Sequence, residues 1–151
     1  MYRRGVSVVF EQAIAVGASP KEVFAFLHAP DRRGEWDAVV DGARLEGGEV
    51  PAVGTRLHLH GRRTAPSWVG EYAELDPPRQ SVLRLVEGAG MPFSAFSQTI
   101  TVTASKGGST VVLRVEYEPR GVARLLEPVV VRPRLATATR KSIANIAQRF
   151  G

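Results

Sequence analysis

"IAVGASPKEVFAFLHAPDRRGEWDAVV", residues 14–40, holds three punctuated pieces in a row. Its first residues close an apolar, β-branched run, 6–16, that reads as a strand. Ser19 is then placed to cap a helix, Pro20 suits the first helical position, and Glu22 completes a capping box. Val23, Phe24, Phe26 and Leu27 follow at helical spacing, and Pro30 ends the helix. "DRRGEWDAVV" predicts a second short helix or helical turn carrying Trp36.

Beyond residue 40 the punctuation changes. Turn signals arrive at short intervals: "EGGEVPAVG", "HGRRTAPS", "LDPPRQ", "EGAGMP" and "SKGGS". The segments between them, 42–46, 55–60, 67–75, 80–86, 95–104 and 109–118, are strand-like. With the first strand they make seven, and loops this short call for an antiparallel sheet. From Arg134 onward, Leu135, Thr139, Ile143, Ile146 and Phe150 recur at three- and four-residue steps, an amphipathic helix of about four turns. Pro128 and Pro133 mark a start or kink upstream. No internal repeat, linker or low-complexity segment interrupts the chain, so one domain over 1–151 is expected. A sheet with one wet face must cover the other with its helices, which gives an α+β fold.

Composition narrows the classes. The 151 residues are 44% hydrophobic and 23% charged, as in a globular domain. The absence of cysteine removes disulfides and thiolate metal sites and fits a cytoplasmic location. The opening residues imitate an export signal, but Glu11 and Gln12 break the apolar stretch, and nothing approaches the ~20 apolar residues of a membrane span. The net charge of +5 is uneven: residues 120–151 hold seven basic side chains against Glu127 alone. The basicity therefore belongs to the C-terminal segment, which could meet an anionic membrane surface. Nucleic acid is not expected as a partner, because the aromatics needed for stacking fall on the inner face.

Taken in order, the opening stretch, "VGTRLHLHG", "YAELDPPRQSVLRLV" and "GGSTVVLRVEYEPRG" resemble the START-like, or SRPBCC, superfamily, in particular its polyketide cyclase/dehydrase-type branch. The likeness runs from about Ser7 to Phe150. It implies a helix-grip fold: a seven-stranded antiparallel sheet wrapped around a long C-terminal helix, two short helices between strands 1 and 2, and a deep apolar cavity. Members bind lipids, sterols, polyketides or other bulky hydrophobes, and a minority catalyse reactions there, so the fold does not fix the function.

Side-chain alternation sorts the strands into faces. His58 and His60 share a face with Arg56, whereas Leu57 and Leu59 share the other, so the histidines read as a solvated strand surface. A metal would need a further ligand; His28 lies at the end of the first helix, and Glu71 on the next strand is the remaining candidate. No metal and no cofactor are expected. The inner face offers Trp36, Leu57, Leu59, Trp68, Tyr72, Leu83, Leu85, Phe96, Ile100, Leu113 and Val129 as cavity walls. The "EGAGMP" turn adds Met91 and Phe93 as an apolar lip, and Arg140 and Gln98 are candidate polar anchors. Trp36, Trp68 and Tyr72 favour a cavity over a filled core, because their N–H and O–H groups need partners when buried.

No catalytic constellation emerges: Ser94 and Ser97 lack a nucleophile elbow, and no loop cradles phosphate. The expected function is binding, transport or sequestration of a bulky hydrophobic small molecule or lipid. The alternative is a polyketide cyclase or dehydratase in the same cavity, with Tyr72, Gln98 or Arg140 moving a proton. A third reading, a protein-interaction module, would need an exposed apolar patch that the sequence does not reveal. Ligand identity and oligomeric state stay open.

Overall fold

Alternation builds the sheet. In β1 (Val8–Val16) every second residue turns inward, and the strands that follow repeat the pattern: β2 (Val40–Leu45), β3 (Arg56–Gly61), β4 (Trp68–Asp76), β5 (Gln80–Glu87), β6 (Phe93–Ser105) and β7 (Gly108–Pro119). These elements are those of a computed structural model that describes residues 7–48 and 50–151. The expected strand start at Val6 and the charged opening residues lie outside the described residues.

The strands form one antiparallel sheet in the order β1-β7-β6-β5-β4-β3-β2. Strands 2 to 7 make a meander, and β1 returns to the far edge beside β7, pairing Val8 with Tyr117. Register shifts at Val40/Gly42, Val69/Gly70, Tyr72/Glu74 and Phe93/Ala95 place bulges that bend the sheet into a curl.

Helix α1 (Pro20–Leu27) starts as expected: Glu22 N–H donates to Ser19 Oγ at 3.3 Å, and Val23, Phe24, Phe26 and Leu27 are buried. A 3-10 turn (Pro30–Arg32) leads into a single-turn α2 (Arg33–Trp36). A Cβ on Gly34 would collide with the Asp41 carbonyl, so α2 rests directly on the backbone at the head of β2. After β7 come α3 (Val122–Leu126), a π-helical turn (Glu127–Val131) and the long α4 (Arg132–Phe150). Both prolines sit in first turns, where a missing N–H costs least.

The inner face divides into two cores. Ile143 and Ile146, in the C-terminal half of α4, join Phe24, Leu27, Trp36, Ile100, Val102 and Val111. Leu57, Leu59, Trp68, Tyr72, Leu83, Phe93, Phe96 and Tyr117 form the other, against which Leu135 of α4 packs only half-buried. The C-terminal half of α4 is seated; its N-terminal half spans a hollow.

Candidate ligand cavity

That hollow is a cavity of about 980 Å³, at the upper end of ligand-pocket sizes. Buried lining residues mark its interior: Trp68, Met91, Phe93, Phe96, Leu113 and Val115 from the sheet and the β5–β6 loop. The aromatics hold one another, with Trp68 edge-on to Phe96 at 5.3 Å and Phe93 stacked on Phe96 at 5.2 Å. Leu126, Val130, Val131, Leu135 and Ala138 close the helical side.

One end is polar. Arg33, only 3% exposed, donates through Nε to Asp37 Oδ2 at 2.9 Å and through Nη2 to Gln98 Oε1 at 2.6 Å. Its guanidinium also lies 4.6 Å over the Trp36 ring. The seam between α2 and α4 is stitched by Ala38 N–H donating to Ser142 Oγ at 2.9 Å and Asn145 Nδ2 donating to the Trp36 carbonyl at 3.1 Å. Trp36 Nε1 is buried without a partner among the described residues. The exposed lining residues Arg63, Arg134 and Lys141 give the rim a positive charge. Arg62 also lines the cavity but is tied to the Gly34 and Val40 carbonyls, both at 2.8 Å.

The roof is built inside out. Glu127 is buried and accepts from Tyr117 Oη at 2.7 Å and from Arg132 Nε at 2.8 Å and Nη2 at 2.6 Å. The bond from Arg132 holds the Glu127 carboxyl below its usual range, whereas burial pushes the Tyr117 hydroxyl well above its own. Val122, Leu125, Leu126 and Val129, spaced like the core stripe of a helix, are exposed instead.

Of the residues read from the sequence as walls, Trp68, Met91, Phe93, Phe96 and Leu113 line the cavity, and so does Gln98. Met91 and Phe93 are buried wall rather than lip. Trp36, Leu57, Leu59, Tyr72, Leu83 and Ile100 turn inward but are buried in filled core, and half-buried Leu85 packs against that core. Alternation gives the face of a strand and not what lies above it. Val129 is corrected: it is 70% exposed, and Val130 and Val131 line the cavity in its place. A π-helical turn takes more residues than a 3.6-residue one, which rotates the phase. Arg140 is corrected too; it is exposed, donates to Thr137 Oγ1 at 3.3 Å and is absent from the lining. The apolar patch that the sequence does not reveal is present, on α3.

Sequence reasoning missed the pairing of Arg33 with Asp37, although their i,i+4 spacing around Trp36 was a usable signal. It also missed the polar side chains that α4 turns to the cavity, Thr139, Ser142 and Asn145.

The histidines face away from the cavity. Half-buried His58 pairs with Glu46 Oε2 at 2.7 Å, and exposed His60 lies 3.9 Å from Asp41. Glu71 faces Arg56 and Arg84. Among the described residues no three His, Cys, Asp or Glu gather as metal ligands. His28 is buried, stacked on Phe24; Nδ1–H donates to the Phe24 carbonyl at 2.8 Å, so Nε2 accepts from Ser81 Oγ at 2.7 Å. Burial pushes its pKa down to about 4, partly opposed by the bond to Phe24.

A curled seven-stranded antiparallel sheet gripping a long C-terminal helix over an apolar cavity defines the helix-grip, START-like class. Within that class the chain belongs to the polyketide cyclase / dehydrase and lipid transport family, whose family model matches residues 7–151. Two uncharacterized proteins from strains of Mycobacterium tuberculosis are each 27% identical over 146 residues, covering 93% of this chain and 97% of theirs. Solved structures share the fold at low identity. Major latex-like protein 151 of Panax ginseng superposes with a TM-score of 0.74 at 16% identity, covering 97% of this chain and 99% of that one. For truncated norcoclaurine synthase from Thalictrum flavum the values are 0.65 and 17%, with 97% and 96% covered. For protein CV1439 of Chromobacterium violaceum they are 0.70 and 13%, with 94% and 96% covered. No described helix is long and apolar enough to cross a membrane.

Proposed function

We propose that the protein, acting as one domain, takes a bulky hydrophobic small molecule or lipid into the cavity beneath α4 and carries or sequesters it. The observation that supports this most is the unfilled volume of about 980 Å³ walled by buried Trp68, Phe93, Phe96 and Leu113. Apolar ligand surface removed from water there is worth roughly 25 cal/mol per Å² before ordering costs. Native mass spectrometry of the purified protein tests the reading: a retained hydrophobe is expected. A protein that neither retains a hydrophobe nor takes up an added one from solution ends it.

Pick-up from an anionic membrane surface fits the exposed stripe Val122, Leu125, Leu126 and Val129, which adjoins the cavity through Leu126. Exposed Arg120, Arg124 and Arg134 flank it in sequence, so apolar insertion and charge attraction would act through one segment of the chain.

A cyclase or dehydratase acting in the same cavity is the second reading. The family description favours it, and so do the inward donors of Arg33 and Gln98, which could polarise a substrate carbonyl. Norcoclaurine synthase, of the same fold, is an enzyme by name. Conversion of the retained molecule during incubation would select this reading over simple carriage.

A further inference from the structure

The Gln98 amide can meet Arg33 in only one orientation. A guanidinium donates and never accepts, so Oε1 must face Arg33 Nη2, 2.6 Å away. Nε2, with two N–H donors, is thereby turned elsewhere, and no acceptor among the described residues engages it. Arg33 is left in a similar state: Nε and Nη2 are engaged, whereas Nη1 has no partner among the described residues. Both side chains line the cavity.

The charge, by contrast, is already matched. Asp37 lies 2.9 Å from Arg33 Nε, and both side chains are buried. What remains at this end is a surplus of hydrogen-bond donors without a surplus of charge.

We propose that Arg33 and Gln98 form an anchoring subsite for a neutral oxygen acceptor, a ketone, quinone or ester carbonyl, on the hydrophobic ligand. A pure hydrocarbon would leave the donors stranded against apolar surface, and stranded buried donors are costly. A carboxylate would bring a second negative charge to a guanidinium that Asp37 already neutralises, and a buried charge without its own counter-ion is costlier still. Arg63, Arg134 and Lys141, which have no ion-pair partner among the described residues, lie at the rim, so an acid group belongs there, outside this subsite. The ligand body then lies against Trp68, Phe93 and Phe96 with its carbonyl toward α2.

This inference rests on the carrier reading, and three probes separate the two: 2-ethylanthracene, 2-acetylanthracene and anthracene-2-carboxylate, titrated by their own fluorescence. The parent protein binds the ethyl and acetyl compounds. Gln98→Leu weakens the acetyl compound about tenfold and leaves the ethyl compound as tight or tighter. Gln98→Met, which is close to the same length and carries no donor, does the same and serves if the leucine variant fails to fold. If neither neutral compound binds the parent, the carrier reading falls and the subsite with it. If both bind and the variants do not distinguish them, the carrier reading stands and the subsite alone is overturned. A tenfold loss of the carboxylate with Gln98→Leu overturns the neutral assignment.

Discussion

The Arg33 guanidinium reaches Asp37 Oδ2 at 2.9 Å one helical turn away, and the pair is buried at the end of the cavity. Asp37 Oδ1 also accepts from Val39 N–H at 3.2 Å, so the same carboxylate fixes the chain leaving α2. Removing one partner strands a buried charge. Asp37→Ala is expected to cost roughly 3–5 kcal/mol in urea denaturation. The double variant Arg33→Met/Asp37→Leu should recover most of that loss, and no recovery would show that the pair contributes more than mutual neutralisation.

His28 makes stability depend on pH. Its folded pKa is about 4 against the ordinary histidine value of 6.5, so the fold holds the neutral ring. Above pH 6.5 neither state is protonated and the contribution is complete; as pH falls from 6.5 toward 4 the unfolded chain takes the proton first and stability drops. The full loss is on the order of 3 kcal/mol. His28→Asn should flatten the unfolding free energy between pH 6.5 and 5, as read from urea midpoints.

Cavity wall and filled core should respond differently. Ala138→Phe adds bulk where space exists, so retention of a hydrophobe is expected to fall at least several-fold while thermal stability holds or rises. Leu83→Ala, in filled core, should cost about 2–5 kcal/mol. Native mass spectrometry and thermal denaturation on both variants separate the two roles; a stability loss with unchanged retention in Ala138→Phe contradicts the assignment.

The α3 stripe should report on membrane contact. Co-sedimentation with phosphatidylglycerol vesicles is expected at low salt, weaker at high salt and weaker still with phosphatidylcholine. Leu125→Glu should reduce it several-fold without changing thermal stability, because that side chain is 81% exposed. Absence of binding by the parent at low salt rules the contact out.

How much of this was legible in the residues follows from the range of each signal. Strand alternation and the Ser19–Glu22 cap are local, and they placed seven strands and α1 within a few residues. Parity put Leu57 and Phe96 on one face without telling that Leu57 meets other side chains and Phe96 meets open volume. That difference depends on where α4 lies above a curled sheet. Nothing in the sequence ties Arg33 to Gln98, because the two are distant along the chain and are brought together by the fold alone. The stripe that starts on α3 carries the pattern of a buried helix face, yet it is exposed while Glu127 beside it is buried on Tyr117.

The pairing of Val8 with Tyr117 sets an order of events during synthesis. The first strand waits for the last, and the helix that roofs the hollow follows both from the ribosome. Contacts of such long range are slow to form. The hollow therefore exists only in a finished molecule, and the nascent chain has no such space.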